Sequence, residues 1–165
     1  MIIFETERLQ VRSLRADDHE NFFRLQGDPE VMRFIRPVKT REESDAVLEE
    51  MLRSPEPDTG GRWMVEEKEG NKFAGTFAVI PLPYDPEKMQ LGYAFIPSAW
   101  GRGFATELTI AGLEYCQKHT SLKEIYAITE IPNIASQRVL QKAGFHLLLR
   151  REHEGKPLLV YCYKW

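Results

Sequence analysis

The chain has 165 residues, enough for one domain that buries roughly 70% of its unfolded surface. A hydrophobic fraction of 42% supports a packed core, while 22 basic against 25 acidic residues leave a formal charge of −3, a balance that excludes a polyanion binder and with it direct nucleic-acid recognition. No apolar run approaches the roughly 18 residues of a membrane span, and two cysteines, Cys116 and Cys162, are too few for a disulfide framework or a closed zinc site.

The opening Met1-Ile2-Ile3-Phe4-Glu5 meets an acid at once and carries no basic stretch ahead of a long apolar one, so no signal peptide is expected and the chain reads as cytoplasmic. Alternation from Arg8 to Leu14 predicts a half-buried strand. Asp17, three residues before Glu20, has capping-box spacing and opens a helix carrying Phe22, Phe23 and Leu25. Asp28-Pro29 starts a short helix, and Thr40 with Glu43 repeats the box ahead of Ala46, Val47, Met51 and Leu52. The proline- and glycine-rich stretch 54–61 is a loop. Strands follow at Arg62 to Lys68, Lys72 to Ile80 and Met89 to Ile96, in the order of an antiparallel meander, with loops at Gly70-Asn71 and Pro81 to Pro86.

From Gly103 the rhythm changes. A helix runs to about His119, then a strand from Glu124 to Thr129 and a helix from Asn133 to Lys142. Two last strands, Phe145 to about His153 and Leu158 to Trp165, pair across Glu154-Gly155-Lys156-Pro157. Cys116-x-x-His119 supplies two ligands, too few to hold a metal, so the thiols read as buried and free.

Chemistry concentrates in two segments. In Trp100-Gly101-Arg102-Gly103-Phe104-Ala105-Thr106-Glu107 a strand ends, a glycine turn follows and a helix begins. Helix-start N–H groups lack internal partners and carry partial positive charge, and glycines let them approach an anion, so this is a candidate pyrophosphate cradle. A glycine-bearing helix entrance without a ligand fits the same residues, as does a dinucleotide fingerprint lacking its third glycine. In the second segment, Asn133 to Phe145, Asn133 caps a helix, Ala135, Val139 and Ala143 recur at spacing four as a packed face, and Gly144 suits a left-handed stop.

Together these segments, with the opening Thr6-Glu7-Arg8-Leu9 and Arg12, resemble the GNAT acetyltransferase superfamily, in particular its ribosomal-protein-alanine N-acetyltransferase-like branch. The resemblance spans the chain and implies a single N-acetyltransferase domain over residues 1–165. It implies an α/β (α+β) fold: a mixed, mostly antiparallel seven-stranded sheet, helices on both faces and a splayed central strand pair, here Met89–Ile96 and Glu124–Thr129. It further implies acetyl-CoA as cosubstrate and an amine acceptor, either a protein N-terminus or a small molecule. Backbone groups of Phe95 and Ile96 would meet pantetheine, Gly101, Arg102, Gly103, Phe104, Ala105 and Thr106 would hold the pyrophosphate, and Asn133 would bond the pantetheine arm. The tyrosine acid that many members carry seven residues after the asparagine is Leu140 here, which makes Ser136 the candidate group on the departing sulfur. Gln90 stands where relatives carry a glutamate base, leaving Glu130 and Glu154 as replacements, or water with no dedicated base. A CoA-binding sensor without catalysis is the alternative reading, and the resemblance leaves a homodimer open.

Overall fold

The computed structural model describes residues 1–54 and 60–165, and the loop expected over 54–61 falls mainly on 55–59, outside the described residues. Hydrophobic alternation builds the first half of a single sheet. Strands β1 (Ile2–Glu5), β2 (Leu9–Ser13), β3 (Gly61–Glu67), β4 (Lys72–Leu82) and β5 (Asp85–Phe95) lie side by side, each antiparallel to the next. Strand β6 (Glu124–Glu130) joins β5 in parallel, and β8 (Lys156–Lys164) and β7 (His146–His153) close the far edge as an antiparallel hairpin. Among the described residues the sheet therefore has eight strands, in the order β1-β2-β3-β4-β5-β6-β8-β7, one more than expected. The additional strand is β1, whose four residues show no alternation. Tertiary contact holds it instead: the Phe4 ring packs edge-on to Phe77 at 5.6 Å and stacks on Tyr115 at 5.2 Å.

The loop expected at Pro81–Pro86 contracts to a tight turn, since β4 reaches Leu82 and β5 begins at Asp85. At the last hairpin, Glu154 and Gly155 both take positive φ (51° and 77°), the geometry of a two-residue turn matched to strand twist.

Helices cover both faces. One face carries α1 (His19–Gln26), the short α2 (Pro29–Met32) and α3 (Arg41–Arg53). Thr40 and Glu43 form the expected reciprocal box at the start of α3, and the Asp28 side chain accepts from Glu30 N–H at 2.9 Å ahead of Pro29. At α1 the expectation is corrected. Asp18 rather than Asp17 governs the entry, accepting the Arg15 N–H at 2.7 Å and both ends of the buried Arg12 guanidinium at 2.9 and 2.7 Å. The Arg12 Nε also stands 3.1 Å from Glu66 Oε1. A guanidinium at 3% exposure needs such partners, and they fix β2 to the helix entrance.

The opposite face carries α4 (Phe104–His119) and α5 (Ile134–Lys142). Trp63 points this way, stacking on Phe77 and meeting Tyr115 of α4 edge-on. Its neighbour Met64 points to the other face and is wholly buried as well, so both sides of the sheet are core. α4 seats closely because it presents Gly112 to the sheet, where any β-carbon would collide with the Phe77 ring. Cys116 and Cys162 are both buried and unbridged. Among the described residues no helix is long and apolar enough to cross a membrane.

Candidate active site

The site begins with a defect in the sheet. β6 pairs with β8 over seven positions from Glu124 to Glu130, yet with β5 it shares a single parallel register, Gln90 opposite Tyr126. Past that point the two strands diverge, which is the splayed pair expected from the sequence. The Ile96 N–H donates to Ala74 O of β4 at 2.9 Å. Alternation then turns the N–H groups of Tyr93 and Phe95 away from β4, toward the gap. Ile96 itself, expected to offer backbone groups, has both engaged, because its carbonyl accepts the Ala99 N–H at 2.9 Å. The Phe95 carbonyl accepts the Trp100 indole N–H at 2.8 Å.

At the end of β5 the chain turns through Gly101 and Gly103, with φ of 71° and 81°. A left-handed backbone disfavours any side chain there. Gly103 caps α4, whose first N–H groups at Phe104, Ala105 and Thr106 precede the first intrahelical bond, Glu107 N–H to Gly103 O at 3.1 Å. The Phe104 side chain is buried at 2% exposure, which leaves its backbone for the cradle. Arg102 is drawn away from the turn, reaching Glu67 Oε1 at 2.7 Å and lying over the Phe104 ring at 4.4 Å.

The start of α4 is clamped from the amino end of the chain. Glu107 accepts from the Thr6 hydroxyl at 2.5 Å, from the Arg8 N–H at 3.1 Å and from Arg8 Nε at 2.8 Å. Burial works against ionising Glu107, but these bonds outweigh it and hold its pKa below the ordinary value. The Thr6-Glu7-Arg8-Leu9 motif is thus a brace for the glycine turn.

Across the gap, α5 presents Ser136. The Asn133 side chain caps this helix, its Oδ1 accepting the Ser136 N–H at 3.3 Å. Leu140 is buried in the core at 1% exposure. Ala135, expected on the packed face, is exposed instead, because the inward face runs through Ser136, Leu140 and Ala143. Ser136 Oγ lies 3.1 Å from the Tyr93 hydroxyl, linking α5 to β5 over the gap. Burial raises the Tyr93 pKa, against a smaller opposing effect of the Ser136 bond, so the phenol stays a proton-bearing group at neutral pH. Tyr93 is not among the site residues expected from the sequence. Its position after Gly92 on the splayed strand was the available signal.

A cavity of about 1490 Å³ passes through this region, and its wall takes in every site residue expected from the sequence except Ile96 and Arg102. Glu130 closes β6 and pairs with Lys156 at 3.7 Å. Glu154 sits at the hairpin tip with its side chain 85% exposed, 3.8 Å from His153. Among the described residues no cluster of three or more histidines, cysteines or carboxylates is placed to hold a metal.

The sequence and the fold are matched by known proteins. A sequence profile of the Acetyltransferase (GNAT) domain matches residues 8–146. The chain is 28% identical over 145 residues to the N-acetyltransferase YoaA of Bacillus subtilis, covering 87% of this chain and 82% of that one. The crystal structure of a GNAT-family acetyltransferase from Bacillus anthracis superposes with a TM-score of 0.84 at 23% identity, over 99% and 98% of the two chains. A Salmonella typhimurium acetyl transferase that modifies the N-terminal serine of the 50S ribosomal subunit protein L7/L12 superposes with a TM-score of 0.80 at 15% identity, over 100% and 99%.

Proposed function

The chain belongs to the GNAT acetyltransferase family, and from that premise we propose that it moves an acetyl group from acetyl-CoA directly to a primary amine while both substrates are bound, with residues 1–165 acting as one domain. The observation that carries the reading is the pair of hydroxyls, Tyr93 and Ser136, bonded at 3.1 Å across the mouth of the splayed strands. Acetyl-CoA supplies an activated acyl group on sulfur, and this chain's residues fit such a ligand. The helix-start N–H groups from Phe104 to Thr106, reached through Gly101 and Gly103, suit a pyrophosphate. The N–H groups of Tyr93 and Phe95, turned toward the gap, suit an amide-bearing arm along it and a donor for the charge that develops on the thioester oxygen. Asn133 keeps its amide nitrogen for that arm while its oxygen caps α5.

Nitrogen attacks only as the free amine, so one ammonium proton leaves to cavity water before the N–C bond forms. Glu130, in the cavity wall at the end of β6, is the better placed of the two carboxylates to receive it, because Glu154 lies out at the hairpin tip. As the C–S bond breaks, a second proton from the nitrogen is needed at sulfur. The Ser136 hydroxyl donates a hydrogen bond there while accepting one from Tyr93, in place of the hydroxyl that Leu140 lacks. For the acceptor, a peptide N-terminus is favoured over a free polyamine, since an α-amine near pKa 8 needs less help to lose its proton than a lysine-like amine.

Thiol release from acetyl-CoA, measured over peptides with varied N-termini and a set of small amines, tests the proposal. Release dependent on one acceptor class, reduced at least tenfold in Ser136→Ala at unchanged acetyl-CoA affinity, supports it. Full turnover by Ser136→Ala removes the serine's role, and silence across the panel in protein that binds acetyl-CoA moves the function to a CoA sensor.

A further inference from the structure

One side of the cavity is the sheet face away from α4 and α5. Its floor is a cross-strand row: Arg62 on β3 lies opposite Ala78 on β4, which lies opposite Gly92 on β5. The floor is open, since a β-carbon on Gly92 would meet nothing within 4 Å. Two guanidiniums border it. Arg62 is half-buried in the floor, and Arg36, just after α2, lines the same cavity from its rim.

Among the described residues, no ion pair and no side-chain hydrogen bond engages either arginine. The carboxylates in the cavity wall are Glu30, Glu130 and Glu154; none pairs with Arg36 or Arg62, and the last two are held by Lys156 and His153. The contrast with Arg12 is instructive, because that buried guanidinium is surrounded by two carboxylates. Desolvation lowers the Arg62 pKa, and repulsion from Arg36 lowers it further. Arg36 reaches solvent, yet the protein around it desolvates it enough to lower its pKa too. A guanidinium keeps its proton regardless. Two like charges are therefore held together at an open, half-dry floor, and among the described residues no anion offsets them.

Resting on the acetyltransferase reading above, we propose that the acceptor carries an oxyanion, a carboxylate or phosphate, which seats between Arg36 and Arg62 while its amine reaches the gap beside Gly92 and Tyr93. Arginine's planar fork matches such groups in two-point fashion, which lysine does not. The Arg62 and Gly92 backbones are two strand spacings apart, about 10 Å. The arginine side chain spans a good part of that distance, so anion and amine belong to one compact molecule or to the first two residues of a peptide. A polyamine, cationic throughout, is repelled by the same floor.

The test uses matched acceptors on the full chain: dipeptides with Asp or Glu second against Asn or Gln, amino acids against their carboxamides, and aminoalkyl phosphates against the corresponding alcohols, with spermidine as the cationic reference. Acidic acceptors are expected to exceed their neutral partners at least tenfold in kcat/KM, spermidine to be slowest, and Arg62→Gln to collapse the ratio while acetyl-CoA affinity holds. The carboxylate and phosphate arms tell which oxyanion is preferred. Neutral or cationic acceptors equal to the acids, or a ratio unchanged in both Arg62→Gln and Arg36→Gln, overturns the inference. The rim variant Arg36→Gln serves if Arg62→Gln fails to fold. If no amine turns over, calorimetric titration of the same acids and amides onto the CoA-loaded protein still decides. Acid-selective binding lost in Arg36→Gln upholds the anion site while the turnover reading falls, and equal binding of acid and amide overturns it.

Discussion

Replacing Ser136 by alanine removes one partner of a half-buried hydroxyl pair and leaves the other behind. Tyr93 and Ser136 stand 3.1 Å apart, and no other hydrogen bond engages the Tyr93 phenol among the described residues. Stranding a buried donor costs about 1–3 kcal/mol, whereas replacing both partners by apolar groups of the same shape is close to neutral. Because the Tyr93 ring lines a cavity that admits water, the low end applies, about 1 kcal/mol. For a chain of this length that lowers Tm by about 2–4 °C. Tyr93→Phe removes the donor itself and leaves serine, which reaches cavity water, so its loss is smaller. The combination Tyr93→Phe with Ser136→Ala should recover most of what Ser136→Ala alone loses. Thermal unfolding of the four proteins without ligand is the assay, with kcat measured on the same samples. In kcat the recovery should be absent, because both hydroxyls then act on one departing sulfur. A double variant no more stable than Ser136→Ala would show that the hydroxyl contact carries no stability, and the relay built on it would fail with it.

Three further outcomes follow from other parts of the site. Glu107→Gln should lose about 1–2 kcal/mol at neutral pH, discounted for the partly exposed Arg8. Since the folded-state pKa of Glu107 is depressed, its contribution is fully present above the unfolded carboxylate value near 4.3 and is lost as pH falls through the folded one, so wild type and variant should converge in acid; a difference constant with pH would refute the brace. Gly101→Ala meets no neighbour within 4 Å, so its cost is the φ of 71° alone, about 1 kcal/mol. That should appear as roughly fivefold weaker acetyl-CoA binding by titration if the turn relaxes, or as lost stability if it does not, and absence of both would show that no left-handed turn is needed. Burial pushes the Cys116 thiol up to about 11, so alkylation at pH 8 should require unfolding, and rapid native labelling of Cys116 by mass spectrometry would contradict its burial.

The glycine turn and the two helix starts that flank the gap were legible in the sequence because backbone builds them. A strand, a turn that demands glycine at two positions and a helix start leave a short contiguous pattern from Ile96 to Thr106, and the capped helix from Asn133 leaves another. The same logic explains the misses. The strand Ile2–Glu5 carries no period and exists through the Phe4 ring's contacts with residues far along the chain. Asp17 had the spacing of a cap, but Asp18 had a buried arginine to satisfy, and tertiary charge pairing outweighed local preference. The pairing of Arg102 with Glu67, 35 residues away, likewise has no local signal.

The region around Tyr93, Arg36 and Arg62 left no such pattern, and the reason is physical. Tyr93, Arg36 and Arg62 come from three separate segments, and each is an ordinary residue in its own stretch. Nothing in the order of residues distinguishes Arg12, which holds two carboxylates, from Arg62, which holds none among the described residues. Both are arginines in strands, and both would be read as polar positions of an alternating pattern. The difference arises only when the sheet sets small residues, Ala78 and Gly92, beside Arg62 and opens a cavity above them. Among the described residues the fold supplies a counter-charge for one desolvated guanidinium and none for the other, which on the proposal above separates a structural role from a recognition role. On that reasoning the substrate provides the missing carboxylate, and introducing one internally should mimic it. Ala78→Glu, placed beside Arg62 in the same row, should pair with it, hold or raise Tm, and abolish acetylation of acidic acceptors. A variant that keeps turning over acidic acceptors as well as wild type would mean the arginines face nothing the substrate brings.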